Sequence, residues 1–588
     1  MDRTAWIVVA LCVIGLVVWE VYLAKQMAPR PAPAGATPAQ VSSTATPVIV
    51  GPSPVPTPVA EATPATREPA PSFAEKIQTL RNSDLELRLT NRGGGIKEAV
   101  LLRQIAEKDQ RVVLNSNQST PIGVIIEQPA TPDLAEFTAS AAPDSAVQFE
   151  RTTPEQLTIR KKFRFQKSSE EKDNYVIEMN VDLENRGDKP YQSGGYFVAL
   201  GSAAPIHPKD YPAFTRLVWC IERNVSVWGG AKGIDAGWFG SSGGILGMGQ
   251  RAARPYFEQT LGGAEWVAVS NQFFTTLMAP LTATLAGKAL DPWKANSVWG
   301  HSFDIERAPD QKLLGIEGAL GMPGFQLQPG QTYSARFEIY AGPKLYHSLA
   351  QLPHNEAEVM DFGMFKIVCQ FLLNFMNLLN SWLHDYGLAI LALTTIIKLT
   401  LWPIQNKANR SMRQMAALSP KMQELREKYK DDPTRMNQEV MKLYKQYGIN
   451  PVGGCLPMMI QIPIFFGLFK MLGQAVELRN AKFLWVKDLS QPDTIAHLPV
   501  LGWPVNIIPL CMAATQIWLM AMTPKTGDPT QRRIAMFMPL IFLFICYNFA
   551  AALALYYTTQ NLFSILQFYQ NKRQPVPTLE KVAPQRKR

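Results

Sequence analysis

The sequence predicts a multidomain membrane protein, an α-helical transmembrane bundle of six crossings joined to an all-β sandwich outside the cytoplasm. Three observations lead there. Apolar residues crowd into an N-terminal stretch and everything after about residue 362, although the chain as a whole is 47% hydrophobic. Between about 72 and 345 the hydrophobic period is two, as in half-buried strands. The net charge of +10 is concentrated in two segments: 406–447 holds ten basic against five acidic residues, and 571–588 holds six against one. Basic loops beside apolar helices mark the cytoplasmic side of a membrane, and nothing else in the charge distribution calls for DNA. At 588 residues the chain exceeds what one core organises.

The first element, 1–27, is a signal-anchor helix. Ala5 to Trp19 is apolar, and Val21-Tyr22-Leu23-Ala24-Lys25 offers no small-x-small cleavage site, so the segment is expected to stay attached. Cys12 follows Leu11, too large a residue for lipoprotein processing, and reads as an ordinary buried cysteine. Residues 28–71 are saturated with Pro, Ala and Thr and form an extended tether.

The next element, 72–345, reads as the β sandwich. Leu85, Leu87 and Leu89 alternate with polar partners, Ile159, Phe163 and Phe165 do so loosely, and Tyr175, Ile177, Met179, Val181 and Leu183 do so strictly. Asn-Arg-Gly turns at 91–93 and 185–187 end two of these runs. Gly240-Ser241-Ser242-Gly243-Gly244 matches the G-x-S-x-G nucleophile elbow in letters, but its glycine-rich surroundings lack the strand and helix that such an elbow needs. The stretch is expected to be a loop. Neither H-E-x-x-H nor a P-loop occurs, and the six cysteines, at 12, 220, 369, 455, 511 and 546, form no metal or disulfide pattern. No catalytic residue, metal or cofactor is expected.

Within 346–386, residues 362–383 form an apolar helix with a polar stripe of Lys366, Gln370, Asn374, Asn377, Ser381 and His384, suited to lying in the membrane interface. The bundle proper, 387–570, has crossings expected at 387–405, 454–478, 503–523, 534–550 and 552–570, each near the roughly 20 residues a bilayer core demands. Neither Pro nor Gly separates the last two, but Arg532 and Arg533 before them and Lys572 and Arg573 after them lie on one side only if the chain crosses twice. With the anchor, both termini are cytoplasmic and the β domain is outside. Between the second and third crossings, 406–447 is expected to form a helical hairpin, because Met415, Leu418, Met422, Leu425 and Tyr429 recur at spacings of three and four and Met436, Val440, Leu443 and Tyr447 resume after Asp432-Pro433. Its charges read first as a solvated face, with a docking surface for substrate or ribosome as the functional alternative. The basic tail, 571–588, suits ribosomal RNA or anionic lipid.

Polar residues stand where lipid tolerates few: Thr394 and Lys398, then Gln461, then Thr515 and Gln516, then Asn548, then Tyr557, Thr558, Gln560 and Asn561. Helix–helix hydrogen bonds account for most of them. Lys398 is different: it falls about eleven residues into its helix, near mid-bilayer, where a lysine costs roughly 2.5–3.5 kcal/mol. A water-filled cavity is the better reading of it than snorkelling to the interface.

At these residues the chain resembles the YidC membrane-protein insertase family, in its long Gram-negative form. The likeness runs from about 362 to 570 through Thr394-Thr395-Ile396-Ile397-Lys398 with Trp402-Pro403, Asn450-Pro451-Val452-Gly453-Gly454-Cys455-Leu456-Pro457, Gln461-Ile462-Pro463-Ile464-Phe465, Leu484-Trp485-Val486-Lys487-Asp488-Leu489-Ser490 and Leu555-Tyr556-Tyr557. Trp266-Val267-Ala268 and Ala341-Gly342-Pro343 are weaker echoes in the β domain. The resemblance implies a bacterial inner-membrane protein with a periplasmic β domain, assisting insertion and folding of nascent membrane proteins alone or with the Sec translocon, without an enzymatic step. It implies a hydrophilic groove in which Lys398 matches the family's arginine, Thr394 the threonine one turn earlier and Tyr557 the tyrosine facing it, with Gln461, Thr515, Gln516 and Asn561 as further lining. Two departures stand out: lysine replaces arginine and loses its bidentate fork, and Asn548-Phe549-Ala550-Ala551 replaces a Pro-Gly turn.

Two other classes compete. A secondary transporter also places a lysine mid-membrane, yet its inverted repeats and paired broken helices are not visible here. A membrane-anchored sugar-binding or sugar-processing enzyme keeps its activity in residues 72–345 once the helices are removed.

Overall fold

The computed structural model describes residues 73–573, apart from 118–119, 133, 143–144, 167–173, 230–255, 309–310, 431, 450–451, 499–503 and 524–528. The anchor, the tether, the Gly240–Gly244 loop and the basic tail beyond Arg573 lie outside the described residues.

From Ile77 to Pro343 the chain is built of antiparallel strands. A four-stranded sheet, Ile77–Arg81 to Arg111–Leu114, begins the domain, and two larger sheets of five and ten strands follow it. The two larger sheets face each other. A Cβ on Gly300 or Gly318 of the smaller sheet would strike Leu217, which the larger sheet supplies, so glycine is what lets the layers approach. On Val176–Asn185 the alternation is realised, with Ile177, Met179, Val181 and Leu183 all buried. The Asn185 turn is closed by its own side chain, whose Oδ1 accepts the Gly187 amide at 3.0 Å. Leu157–Phe165 explains its looser pattern. Lys161 occupies a core position between Ile159 and Phe163 and is fully buried.

After one short α-helical turn at Tyr346–Leu349 and 3-10 segments at Glu356–Met360 and Gly363–Phe365, eight longer helices follow among the described residues. They are α1 (Lys366–Leu383), α2 (Tyr386–Ala417), α3 (Ser419–Lys428), α4 (Pro433–Gln446), α5 (Val452–Leu472), α6 (Ile507–Met522), α7 (Pro529–Cys546) and α8 (Ala551–Lys572). Among the described residues only α2 is both long and apolar enough to cross a membrane by that measure; Ile460–Leu472 and Ile507–Met522 are shorter apolar helices.

Several boundaries differ from expectation. The helix expected to end near 405 continues through Pro403 to Ala417, so the hairpin's first arm is continuous with it until Leu418, where Ser419-Pro420 restarts the helix as α3. Within the hairpin, Asp432 caps α4 by accepting the Arg435 amide at 3.0 Å, and Tyr444 bonds Met422 across the pair at 3.0 Å. Residues 473–478 are not helical continuation of α5; they turn and form a short 3-10 segment, Val476–Leu478.

The polar stripe of α1 is divided: Asn374, Ser381 and His384 are exposed, while Lys366, Gln370 and Asn377 are half-buried. Cys369, Leu372, Leu373, Met376 and Leu379 pack inward, Asn377 bonds Glu477 at 3.4 Å, and Lys366 pairs with Glu358. The outward face is largely apolar, with Ile367 82% and Trp382 75% exposed. Between α7 and α8 the chain breaks at Tyr547–Ala550 with no proline or glycine. The loop between α5 and α6 supplies what restarts the helix, because Ala551 and Ala552 donate their amides to the Gln491 and Leu489 carbonyls.

Candidate functional site

α8 is the element that gathers the polar side chains. Its residues 557, 560, 561, 564, 567 and 571 recur at spacings of three and four, which aligns them along one side of a helix. Their side chains reach α2, α5 and α6. Asn561 donates to Thr515 Oγ1 of α6 at 3.2 Å and to the Met512 carbonyl at 3.3 Å. Gln461 of α5 donates to Gln560 at 3.1 Å. Lys398 of α2 donates to Ser564 Oγ at 2.7 Å, and Ser564 in turn donates a hydrogen bond to the Gln560 carbonyl at 3.0 Å.

Lys398 is only 4% exposed. Among the described residues no carboxylate pairs with it, so one hydroxyl is its polar partner. Thr394, one turn earlier on α2, is fully buried and turns its hydroxyl back to the Ile390 carbonyl at 2.7 Å. Tyr557 is buried among aromatic rings, 5.4 Å from Phe465 and 5.4 Å from Phe542 between centroids. The lysine therefore bonds Ser564, two turns further along α8, rather than Tyr557. Gln516 is half-buried on α6 beside Thr515, with Ile517 and Trp518 exposed next to it.

Lys398, Gln461 and Thr515 thus meet α8 in three separate contacts rather than as one ring of side chains, while Thr394 bonds its own helix. Sequence reasoning missed the lower half of the polar column. Gln567 donates to the Trp402 carbonyl at 3.2 Å and to Asn406 Oδ1 at 2.7 Å, Asn571 donates to the same Asn406 oxygen at 3.1 Å, and Arg413 reaches the Asn571 carbonyl at 2.6 Å. The signal was the α8 spacing itself, continued about four turns past Tyr557 to Asn571.

Comparison with known proteins bears on this architecture directly. Residues 78–375 match the family model of the YidC periplasmic domain, and residues 378–577 match that of the 60Kd inner membrane protein. The chain belongs to the YidC family. It is 39% identical over 311 residues to a protein of Syntrophus aciditrophicus (strain SB) named membrane protein insertase YidC, a match covering 52% of each chain. A protein of the same name from Nitratidesulfovibrio vulgaris (strain DSM 19637 / Miyazaki F) is 32% identical over 404 residues, covering 67% of this chain and 66% of the relative. The match thus spans about half the length of the first of these relatives. A solved structure described as an active YidC insertase with its first transmembrane domain resolved aligns at 18% identity and a TM-score of 0.33, covering 86% of this chain and 94% of that one. The YidC-family match joins the strand region and the helical region into one known architecture, consistent in order with what the helices and sheets display.

Proposed function

We propose that this chain is a membrane protein insertase and chaperone: it assists nascent integral membrane proteins into the bacterial inner membrane through a hydrophilic path along α8, and it does so without an enzymatic step. The observation that carries this reading is Lys398, a cation buried in an apolar helix with a hydroxyl partner and, among the described residues, no carboxylate partner. In this reading the chain crosses six times with both termini cytoplasmic and the β domain periplasmic, which the basic segments at 406–447 and 571–588 support.

The physics is that of shortening a dry path. A polar client terminus entering hydrocarbon leaves backbone groups unpaired, each at a cost of several kcal/mol. Side chains such as Gln461, Gln560, Asn561, Thr515 and Gln516 offer exchangeable hydrogen bonds in place of water. Lys398 adds attraction for client carboxylates, because Ser564 holds its ammonium without neutralising it. The membrane potential assists, drawing negative charge outward with about 2.3 kcal/mol per charge per 100 mV. Thr394 and Tyr557 shape the wall on either side. We read the Sec translocon as a cooperating partner and the ribosome as a docking partner of the hairpin and tail.

The test is reconstitution of the full chain into lipid vesicles with a small client bearing a translocated tail. Protease protection of that tail in chain-containing vesicles, absent from empty ones, is the expected result. Equal protection in both vesicle types overturns the function. Topology is checked in spheroplasts: external protease is expected to cut within 28–71 and to spare 406–447, and cleavage of the hairpin overturns the six-crossing arrangement.

A further inference from the structure

Between α5 and α6 the chain folds residues 483–486 into a tight turn that the path along α8 leaves unused. Phe483 and Val486 pair through their backbones, each amide donating to the other's carbonyl, at 3.0 Å and 2.9 Å, which puts Leu484 and Trp485 at the tip. Leu484 has a φ of 53° and Trp485 does not share the positive sign, the turn form whose first central residue is ordinarily glycine. A leucine there strains the backbone. Its side chain finds no burial within the protein in return, being 75% exposed, and the neighbouring Trp485 is 48% exposed.

The tip is held in place from two sides. Phe483 packs on Gly387 in the first turn of α2, so closely that a Cβ there would lie 2.1 Å from its ring. Trp485 donates its indole N–H to Asp493 Oδ2 at 3.2 Å, and the same oxygen accepts the Ile508 amide, in the first turn of α6, at 2.8 Å. The turn is therefore fixed at the level where two apolar helices begin, and Leu388 and Leu510 in their first turns are exposed as well. Lys482 and Lys487 flank the tip, both exposed and, among the described residues, without an ion-pair partner. The adjoining carboxylate, Asp488, is engaged by the Ser490 amide and hydroxyl at 2.8 Å and 2.7 Å.

An apolar pair on a strained tip, an indole with one end hydrogen-bonded and an ammonium on either side together suit the boundary between hydrocarbon and water. We propose that residues 482–487 insert into the periplasmic leaflet of the bilayer, with Leu484 and the exposed edge of Trp485 in the upper acyl region and Lys482 and Lys487 on lipid phosphodiesters. The inference rests on the reading that α2 and α6 enter the membrane at their N-terminal ends. The turn then sets the depth at which those two ends sit, since Phe483 and Asp493 tie it to both.

The test places a small fluorescent amino acid at position 484 of the full-length chain in phosphatidylethanolamine–phosphatidylglycerol vesicles, and in a second preparation at position 480, where Asn480 is exposed at the base of the same loop. Lipids brominated on the upper acyl chain are expected to quench the probe at 484. Aqueous iodide, present on both sides of the membrane, is expected to quench it about tenfold less than at 480, the population shift that burying one leucine-sized group supplies. Leu484→Gly suits the positive φ and so keeps the turn; with the probe moved to position 485, it is expected to raise iodide quenching severalfold. Iodide quenching at 484 equal to that at 480, no quenching by the brominated lipid, or no response to Leu484→Gly overturns the proposal. Unchanged quenching at 484 when Lys482→Glu and Lys487→Glu are combined overturns the contact with phosphodiesters. A probe that stays in water while spheroplast protease still spares 406–447 fails this inference and leaves the insertase topology standing, whereas cleavage of the hairpin fails the reading on which it rests.

Discussion

Lys161 makes the stability of the β domain a function of pH. Its Nζ is buried within the domain, donating to the Gly93 carbonyl at 2.5 Å and the Gly123 carbonyl at 3.3 Å, with the Phe137 ring centre 4.7 Å away. Burial lowers its pKa from 10.5 to about 7. Below about 7 the folded and unfolded chains both bind the proton, and the cost of a buried ammonium is present in full. Between about 7 and 10.5 only the unfolded chain holds it, so stability rises with pH until the cost vanishes above 10.5. At about 1.4 kcal/mol per unit, the rise between roughly pH 7 and pH 9 integrates to about 2 kcal/mol. Hydrogen exchange of the full-length chain, corrected for intrinsic rates, reads this as the opening free energy of peptides covering Leu157–Phe165. Lys161→Met is expected to flatten the profile. At neutral pH its net effect is small, because relief of the buried amine is offset by two orphaned carbonyls at about 1–3 kcal/mol each. Identical profiles for the two chains across that range would refute the reasoning.

Glu356 supplies the opposite slope in a separate window. Burial raises its carboxyl pKa from 4.5 to about 7, so stability falls as pH rises through that interval and stays low above it; Glu356→Gln is expected to raise the unfolding midpoint at pH 8 by an amount reflecting about 3 kcal/mol and to do little at pH 4. Gly387 leaves no room for a side chain, since a Cβ there would lie 2.1 Å from the Phe483 ring. Gly387→Ala is expected to cost about 1–3 kcal/mol in thermal unfolding in detergent, and Phe483→Ala in the same chain is expected to recover most of it. Asn406→Leu removes the oxygen shared by Gln567 and Asn571; faster exchange at the C-terminal end of α8, by about 1–2 kcal/mol in opening free energy, is the expected outcome, and unchanged protection contradicts the polar column as a structural link.

The sequence made some of this legible and hid the rest for identifiable reasons. The strict alternation of Ile177 to Leu183 could be read because every inward position is apolar. Leu157–Phe165 was blurred because Lys161 stands in the inward phase, tolerated only by carbonyls from residues 93 and 123 that are remote in the chain. Composition carried the apolar run past Leu472, but the turn after it depends on tertiary contacts: the Gly473 carbonyl accepts from Gln272 of the β domain at 2.7 Å. Pro403 did not end α2, which runs on through it to Ala417. Among the site residues, Lys398 announced itself by cost alone, whereas Ser564, its partner, is an unremarkable serine until α2 and α8 are placed side by side. The outward apolar face of α1 was also hidden, since Ile367, Phe371 and Trp382 look like core residues in a string of letters.

The central claim is that Lys398 works through its positive charge in a hydrated path, and one comparison tests it most directly. Reconstituted chains carrying Lys398→Arg, Lys398→Met and Lys398→Glu are compared for translocation of one client whose tail is either acidic or neutral. The account predicts that the Arg variant retains both tails, that the Met variant loses mainly the acidic one, and that the Glu variant is the most impaired. Full translocation of the acidic tail by the Met variant would contradict the charge mechanism and leave hydration along α8 to act alone.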